Sequence, residues 1–156
     1  MSAAPTANEL PESYEVIYEV AFKTMYFNPG TETIITIWND KSEFITDEDY
    51  KSDAESMVEL ILDSDAKYMI SDHRENKFNI SDDLQKWYAA LIAHVLGNSS
   101  FEKCAVIITD DLNLLSALEE IKSNIELAEK DHVIQYRFFN EFKEAEKWIL
   151  SKNTND

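Results

Sequence analysis

Along the first third of the chain, apolar positions repeat every second residue. Tyr14, Val16, Tyr18, Val20 and Phe22 fall on one face of a strand. Met25 to Phe27 is a weaker second strand. In Asn28-Pro29-Gly30-Thr31 the proline pre-sets its dihedral and the glycine is free to take positive φ, which predicts a type II turn. Thr33 to Trp38 returns as a β-branched strand, so the chain is expected to begin as an antiparallel hairpin or meander. At Thr46 the period becomes helical. Its hydroxyl can cap a helix whose first turn, Asp47, Glu48 and Asp49, suits the positive end of the dipole. Tyr50, Ala54, Met57, Val58, Ile61 and Leu62 form its apolar stripe, and Asp53, Glu55, Glu59 and Asp63 are expected on the solvated side.

The stretch from Ala66 to Leu96 organises the rest. Tyr68, Met69 and Ile70 read as a buried strand that ends abruptly in Ser71, Asp72, His73 and Arg74. A loop leads to Ser81, which opens a helix with apolar positions Leu84, Trp87, Tyr88, Leu91, Ile92 and Val95; Trp87 is expected to be buried against the sheet, and Gly97 to close the helix as its C-terminal cap. Lys103 to Thr109 is a further strand, ending in Asp110-Asp111. A third helix carries Leu114, Leu118, Ile121 and Ile125. Val133 to Phe139 is the last strand, and a final helix after Asn140 turns Phe142, Ala145, Trp148 and Ile149 inward.

This order predicts an α/β fold: one mixed β-sheet, with N-terminal antiparallel strands and later parallel βαβ units, flanked by about four helices. Residues 1–13, with Pro5 and Pro11, read as a flexible tail, 14–150 as a single domain and 151–156 as a polar tail. Right-handed crossovers bring the C-terminal ends of the parallel strands, at Asp72 and Asp110, to one sheet edge, where open α/β sheets place ligands.

Composition narrows the function. The 156 residues are 44% hydrophobic, enough for a proper core, and carry a net charge of -17 from 31 acidic and 14 basic residues. Such a chain repels phosphate backbones and anionic lipid, so no nucleic-acid partner is expected. The acidity reads either as solubility, including in a salty cytoplasm, or as the complement of a basic partner protein. No charged leader and no apolar run near the roughly 20 residues of a membrane span is present, so a cytoplasmic protein without membrane insertion is expected. Cys104, the single cysteine, excludes an internal disulfide and a thiolate zinc cluster; within its apolar run it reads as a buried, inert thiol. Two glycines cannot build a P-loop or a dinucleotide fingerprint, and no Gly-x-Ser-x-Gly elbow occurs. His73, His94 and His132 lack metal-ligand spacing. No cofactor or metal is expected.

Asp72, His73 and Arg74 are the candidate binding cluster: an acid, an imidazole and an anion-binding fork at the sheet edge. In the plainer reading Asp72 accepts backbone amides and Arg74 braces the loop through an ion pair. Ser81 is most simply an N-cap; as a phosphosite it would meet repulsion from Asp82 and Asp83. His94 reads as structural or surface, and His132 as part of a polar turn. Trp38, Tyr50, Phe78 and Trp87, with Tyr88 and Trp148, are candidates to line an apolar pocket, although aromatics at such spacing also build cores.

The run Tyr68-Met69-Ile70-Ser71-Asp72-His73-Arg74, then Phe78-Asn79-Ile80-Ser81 and Trp87, resembles the SpoIIAA-like or STAS-like proteins of bacteria. Arg137-Phe138-Phe139 followed by Glu144-Ala145-Glu146-Lys147-Trp148-Ile149 resembles their closing strand and helix. The resemblance spans about Tyr14 to Leu150. It implies a mixed sheet flanked by helices, similar to anti-sigma-factor antagonists and distantly to lipid-binding Sec14 domains. Signalling members carry a phosphorylatable serine directly after the aspartate, then a small residue and a glycine. Here His73 follows Asp72, no glycine is near, and Ser81 is not equivalent by position. The resulting expectation is a non-catalytic regulatory or interaction module that binds a protein partner or forms a homodimer. The alternatives are a carrier of a small hydrophobic ligand, and an enzyme using Asp72, His73 and Arg74.

Overall fold

The computed structural model describes Leu10 and residues 13–128 and 134–151. Among these, six strands form one sheet in the order in which they follow along the chain. β1 (Glu15–Val20), β2 (Lys23–Asn28) and β3 (Thr33–Trp38) are antiparallel neighbours; β4 (Tyr68–Asp72), β5 (Lys103–Ile107) and β6 (Gln135–Phe139) continue from β3 in parallel. The crossovers are α1 (Asp47–Ser64), α2 (Asp82–Val95) and α3 (Leu112–Ala128), and α4 (Phe142–Ile149) follows β6. This is the expected α/β fold with one mixed sheet. Val133 and His132 lie outside the described residues.

Strand alternation splits the core into two layers. Met25, Ile34, Trp38, Met69, Cys104 and Val106 face α1, α2 and α3, whereas Tyr26, Ile35, Ile70, Ala105 and Ile107 face α4. Leu10, within the segment read as a tail, is buried in this second layer. Because every parallel crossover steps to the next strand in the same direction, right-handedness puts all three crossover helices on one face. The strand order therefore never reverses among β3 to β6, and the crevice that doubly wound sheets use for ligands is not formed there. The C-terminal edge is instead a row of loops, at 39–46, 73–81, 108–111 and 140–141.

Helix starts follow their caps. Thr46 Oγ1 accepts from the Asp49 amide at 3.1 Å while Asp49 Oδ2 accepts from the Thr46 amide at 3.0 Å, a reciprocal box. Ser81 Oγ accepts from the Leu84 amide at 3.3 Å. Asp111 Oδ1 does the same for α3, with Asn113 at 2.9 Å and Leu114 at 3.2 Å.

Several local expectations need correction. A bulge between Val16 and Tyr18 leaves Ile17 unmatched, so the alternation changes face: Ile17, Tyr18 and Val20 pack beneath the helices while Val16 is exposed. β2 is not weak but largely buried. In the turn after it, Asn28 Oδ1 accepts from the Gly30 amide at 2.9 Å, and Glu32, not Gly30, takes the left-handed conformation with φ 54°. α2 ends at Val95 without a left-handed cap, because Leu96, Gly97 and Asn98 tighten into a 3-10 turn. Leu62 is more than a third exposed. Trp87 is only half-buried, with the Lys51 ammonium 5.7 Å from its ring, because α1 covers that side of α2 incompletely. Asp53, expected in solvent, is 3% exposed.

Candidate functional site

The candidate cluster divides between the sheet edge and the interior. Asp72 ends β4 between β3 and β5, opposite Ile37 and Ile107, and is fully buried. Its carboxylate accepts from the Arg74 backbone amide (3.1 Å) and from both arms of the Arg74 fork, Nε at 3.0 Å and Nη2 at 2.8 Å. Asp72 and Arg74 therefore make the local bidentate clamp of the bracing reading. Beside the clamp lies a surface cleft of about 220 Å³, lined by Arg74, Glu75, Ile108, Thr109, Asp110, Asn140 and Glu141.

His73 turns the other way. It is buried beneath the helices, stacked on Trp38 with ring centroids 5.6 Å apart. The Phe78 amide donates to Asn76 Oδ1 at 2.9 Å, which turns Asn76 Nδ2 toward His73 Nδ1 at 3.1 Å. Nδ1 therefore accepts, and Nε2 carries the hydrogen that it donates to Ser71 Oγ at 3.0 Å. The Thr36 hydroxyl meets the same Ser71 oxygen at 3.0 Å. Burial first, and the positive charge of Lys23 second, push His73 down to about 3. A proton on Nδ1 would also face the Asn76 NH2 donor, so this imidazole is held neutral.

The groups that sequence reasoning missed are Lys23 and Asp53. Lys23 Nζ donates to Asp53 Oδ2 at 2.9 Å and lies 4.9 Å from the Trp38 ring centroid, with both side chains of the pair almost fully buried. Asp53 Oδ1 has no hydrogen-bond partner, and neither has the buried Tyr136 hydroxyl. These two residues border an interior cavity of about 40 Å³ that also touches Ser71, His73, Tyr88 and Cys104. Burial, then the Asp53 charge, raises Tyr18 to about 12, and burial raises the Cys104 thiol to about 12, which leaves it a poor nucleophile. Of the aromatic candidates, Trp38, Tyr50 and Tyr88 line this cavity. Phe78 stacks behind Tyr50 at 5.1 Å, Trp87 lies outside, and Trp148, on α4, packs on the opposite face of the sheet. The sequence signal for Asp53 was its spacing: with Tyr50, Ala54 and Met57 it completes an i, i+3, i+4, i+7 face.

Two exposed apolar side chains stand on the same edge as the cleft. Phe44, in the turn between β3 and α1, is 82% exposed, and Leu112, at the start of α3, is 77% exposed. The Lys77 amide donates to the buried Ser42 hydroxyl at 2.7 Å, which ties the turn carrying Phe44 to the loop after β4. Asp40, Glu43, Glu75, Asp110, Asp111 and Glu141 are exposed around them, against Lys41 and Lys77. Exposed Asp82 and Asp83 follow Ser81, and His94 is exposed on α2.

Among the described residues, no group of three or more His, Cys, Asp or Glu is placed to hold a metal, and no helix is long and apolar enough to cross a membrane. Comparison of the chain with protein-family models, curated proteins and solved structures finds no match.

Proposed function

We propose that the protein is a non-catalytic interaction module, of the STAS-like kind its sequence resembles, that docks a basic partner protein on the C-terminal edge of its sheet. The observation that carries this reading is the exposure of Phe44 (82%) and Leu112 (77%) on one edge. Acidic residues at helix starts are explained by capping and the helix dipole alone. Large apolar side chains left in water are not, and amid carboxylates they suit a partner that presents apolar and cationic groups together. A second copy of this chain fits less well, because it would set one acidic edge against another.

The chemistry at the edge supports binding rather than turnover. The Arg74 fork is committed to Asp72, and His73 is buried, neutral and engaged at both ring nitrogens. The carrier alternative is not favoured: about 40 Å³ of interior space is far below the roughly 150 Å³ that accommodates benzene. Titrating isotopically labelled protein with a short peptide of alternating leucine and arginine tests the docking reading by NMR. Shifts concentrated at residues 39–46, 73–80, 108–112 and 140–141 are expected. Shifts spread evenly over the acidic helix faces would reject the edge as a docking surface.

A further inference from the structure

The Lys23–Asp53 pair is half-satisfied in a way that points to what fills the space beside it. Asp53 Oδ2 receives the ammonium at 2.9 Å, yet Oδ1 of the same carboxylate, on a side chain 3% exposed, has no donor. An ionised oxygen left bare in the interior loses its hydration without compensation. The Tyr136 hydroxyl lies near the Cys104 thiol and Tyr88 but is likewise buried with no partner at full hydrogen-bond distance. These atoms come from α1 and β6, and both residues border the same cavity. Met57, Met69, Leu118 and Ile121 form its apolar walls, and the polar side chains of Tyr50, Ser71, His73, Tyr88 and Cys104 border it as well.

Size and charge specify the occupant. A water needs roughly 10–15 Å³ of such space, so about 40 Å³ holds up to about three waters and excludes an aromatic ring or an acyl chain. Lys23 and Asp53 already sum to zero charge, so an added ion would be uncompensated in a low-dielectric site. We propose that the cavity is a built-in site for small neutral hydrogen-bond donors, occupied by a cluster of up to about three waters. One water donates to Asp53 Oδ1 and another, at the far wall, meets the Tyr136 hydroxyl. The cluster completes the solvation of the ion pair and joins α1 to the far end of the sheet.

Oxygen-17 water relaxation dispersion on the full chain counts long-lived internal waters, and Tyr136→Phe changes one wall of the cavity without altering its charge. The wild-type protein is expected to show long-lived waters, and Tyr136→Phe to lose at least one of them and to melt at a lower temperature. A dry cavity predicts the opposite sign, because removing an unpaired buried hydroxyl relieves a cost and raises the melting temperature. An unchanged water count, or a higher melting temperature for Tyr136→Phe, would overturn the proposal. A high-resolution crystal structure adds a second reading, in which density within hydrogen-bond distance of Asp53 Oδ1 is expected, and Oδ1 engaged instead by a reoriented side chain would refute it.

Discussion

Lys23→Met is the most informative single perturbation of the interior. Methionine keeps the length and apolar stem of lysine but removes the ammonium. The carboxylate of Asp53, 3% exposed and with no protein donor to Oδ1, then loses the 2.9 Å bond to its other oxygen. Orphaning one member of a buried ion pair costs about 3–5 kcal/mol, a large share of the 5–15 kcal/mol by which a domain of this size is stable. The lost ammonium–Trp38 contact at 4.9 Å adds about 1 kcal/mol, partly offset by methionine packing on the ring. The double variant Lys23→Met/Asp53→Leu removes both charges, and replacing a whole buried pair by apolar residues is often neutral. It should therefore be within about 2 kcal/mol of wild type, so that with each single variant costing about 3–5 kcal/mol the coupling energy is at least about 4 kcal/mol. Urea unfolding of wild type, both single variants and the double variant closes the cycle. A loss under about 1 kcal/mol for Lys23→Met, or a double variant as unstable as the sum of the singles, would show that the pair is not buried as described.

Three further outcomes follow from packing, capping and protonation. Trp38→Ala, which strips a ring packed on Phe22, Tyr50 and His73, should cost about 3–5 kcal/mol, and Trp87→Ala, only partly buried, about 2; equal losses in urea unfolding would refute the difference in burial. Ser81→Ala should cost about 1 kcal/mol and Ser81→Asp much less, since aspartate still caps; a phosphate on Ser81 in protein from its native cells would point instead to signalling. His73, at about 3 when folded, takes up its proton only on unfolding as pH falls below about 6.5, so its contribution is present above that pH and is lost as pH falls toward 3. Between about pH 7.5 and about pH 5.5 it should remove about 1.4 kcal/mol, a drop that His73→Gln should lack; identical slopes for the two proteins would contradict the buried neutral imidazole.

Which features were legible in the sequence follows from which interactions are local. The Thr46 and Ser81 caps depend on residues three positions away, and each was readable from hydroxyl and spacing. The order of strands and helices was readable from periodicity, because most buried faces keep a period of 2 or 3.6. Failures arose where one residue broke a period or where a distant partner decided the outcome. The unmatched Ile17 inverted the faces of β1, and a bulge has no signature in alternation alone. Asp53 reads as solvated in the sequence because its partner Lys23 lies 30 positions earlier on another element. Residue type predicts left-handed conformations at Gly30 and Gly97, but the Asn28 side chain and the 3-10 turn satisfy those backbones otherwise. At the candidate site the Asp72–Arg74 clamp was readable as an i, i+2 pair. The burial of His73 was not, since it depends on Trp38 and Asn76 closing over it.

The docking edge is tested most directly by site-specific photocrosslinking in the native cells, with the photoreactive residue placed at 44, at 112 and, as a control, at the exposed position of Glu59 on α1. Positions 44 and 112 should capture the same protein, one with a basic surface, and elevated salt should reduce the yield as it screens the acidic edge. Position 59 should stay silent. Equal capture at all three positions, or capture at 44 and 112 of a second copy of this chain alone, would contradict docking of a basic partner on this edge.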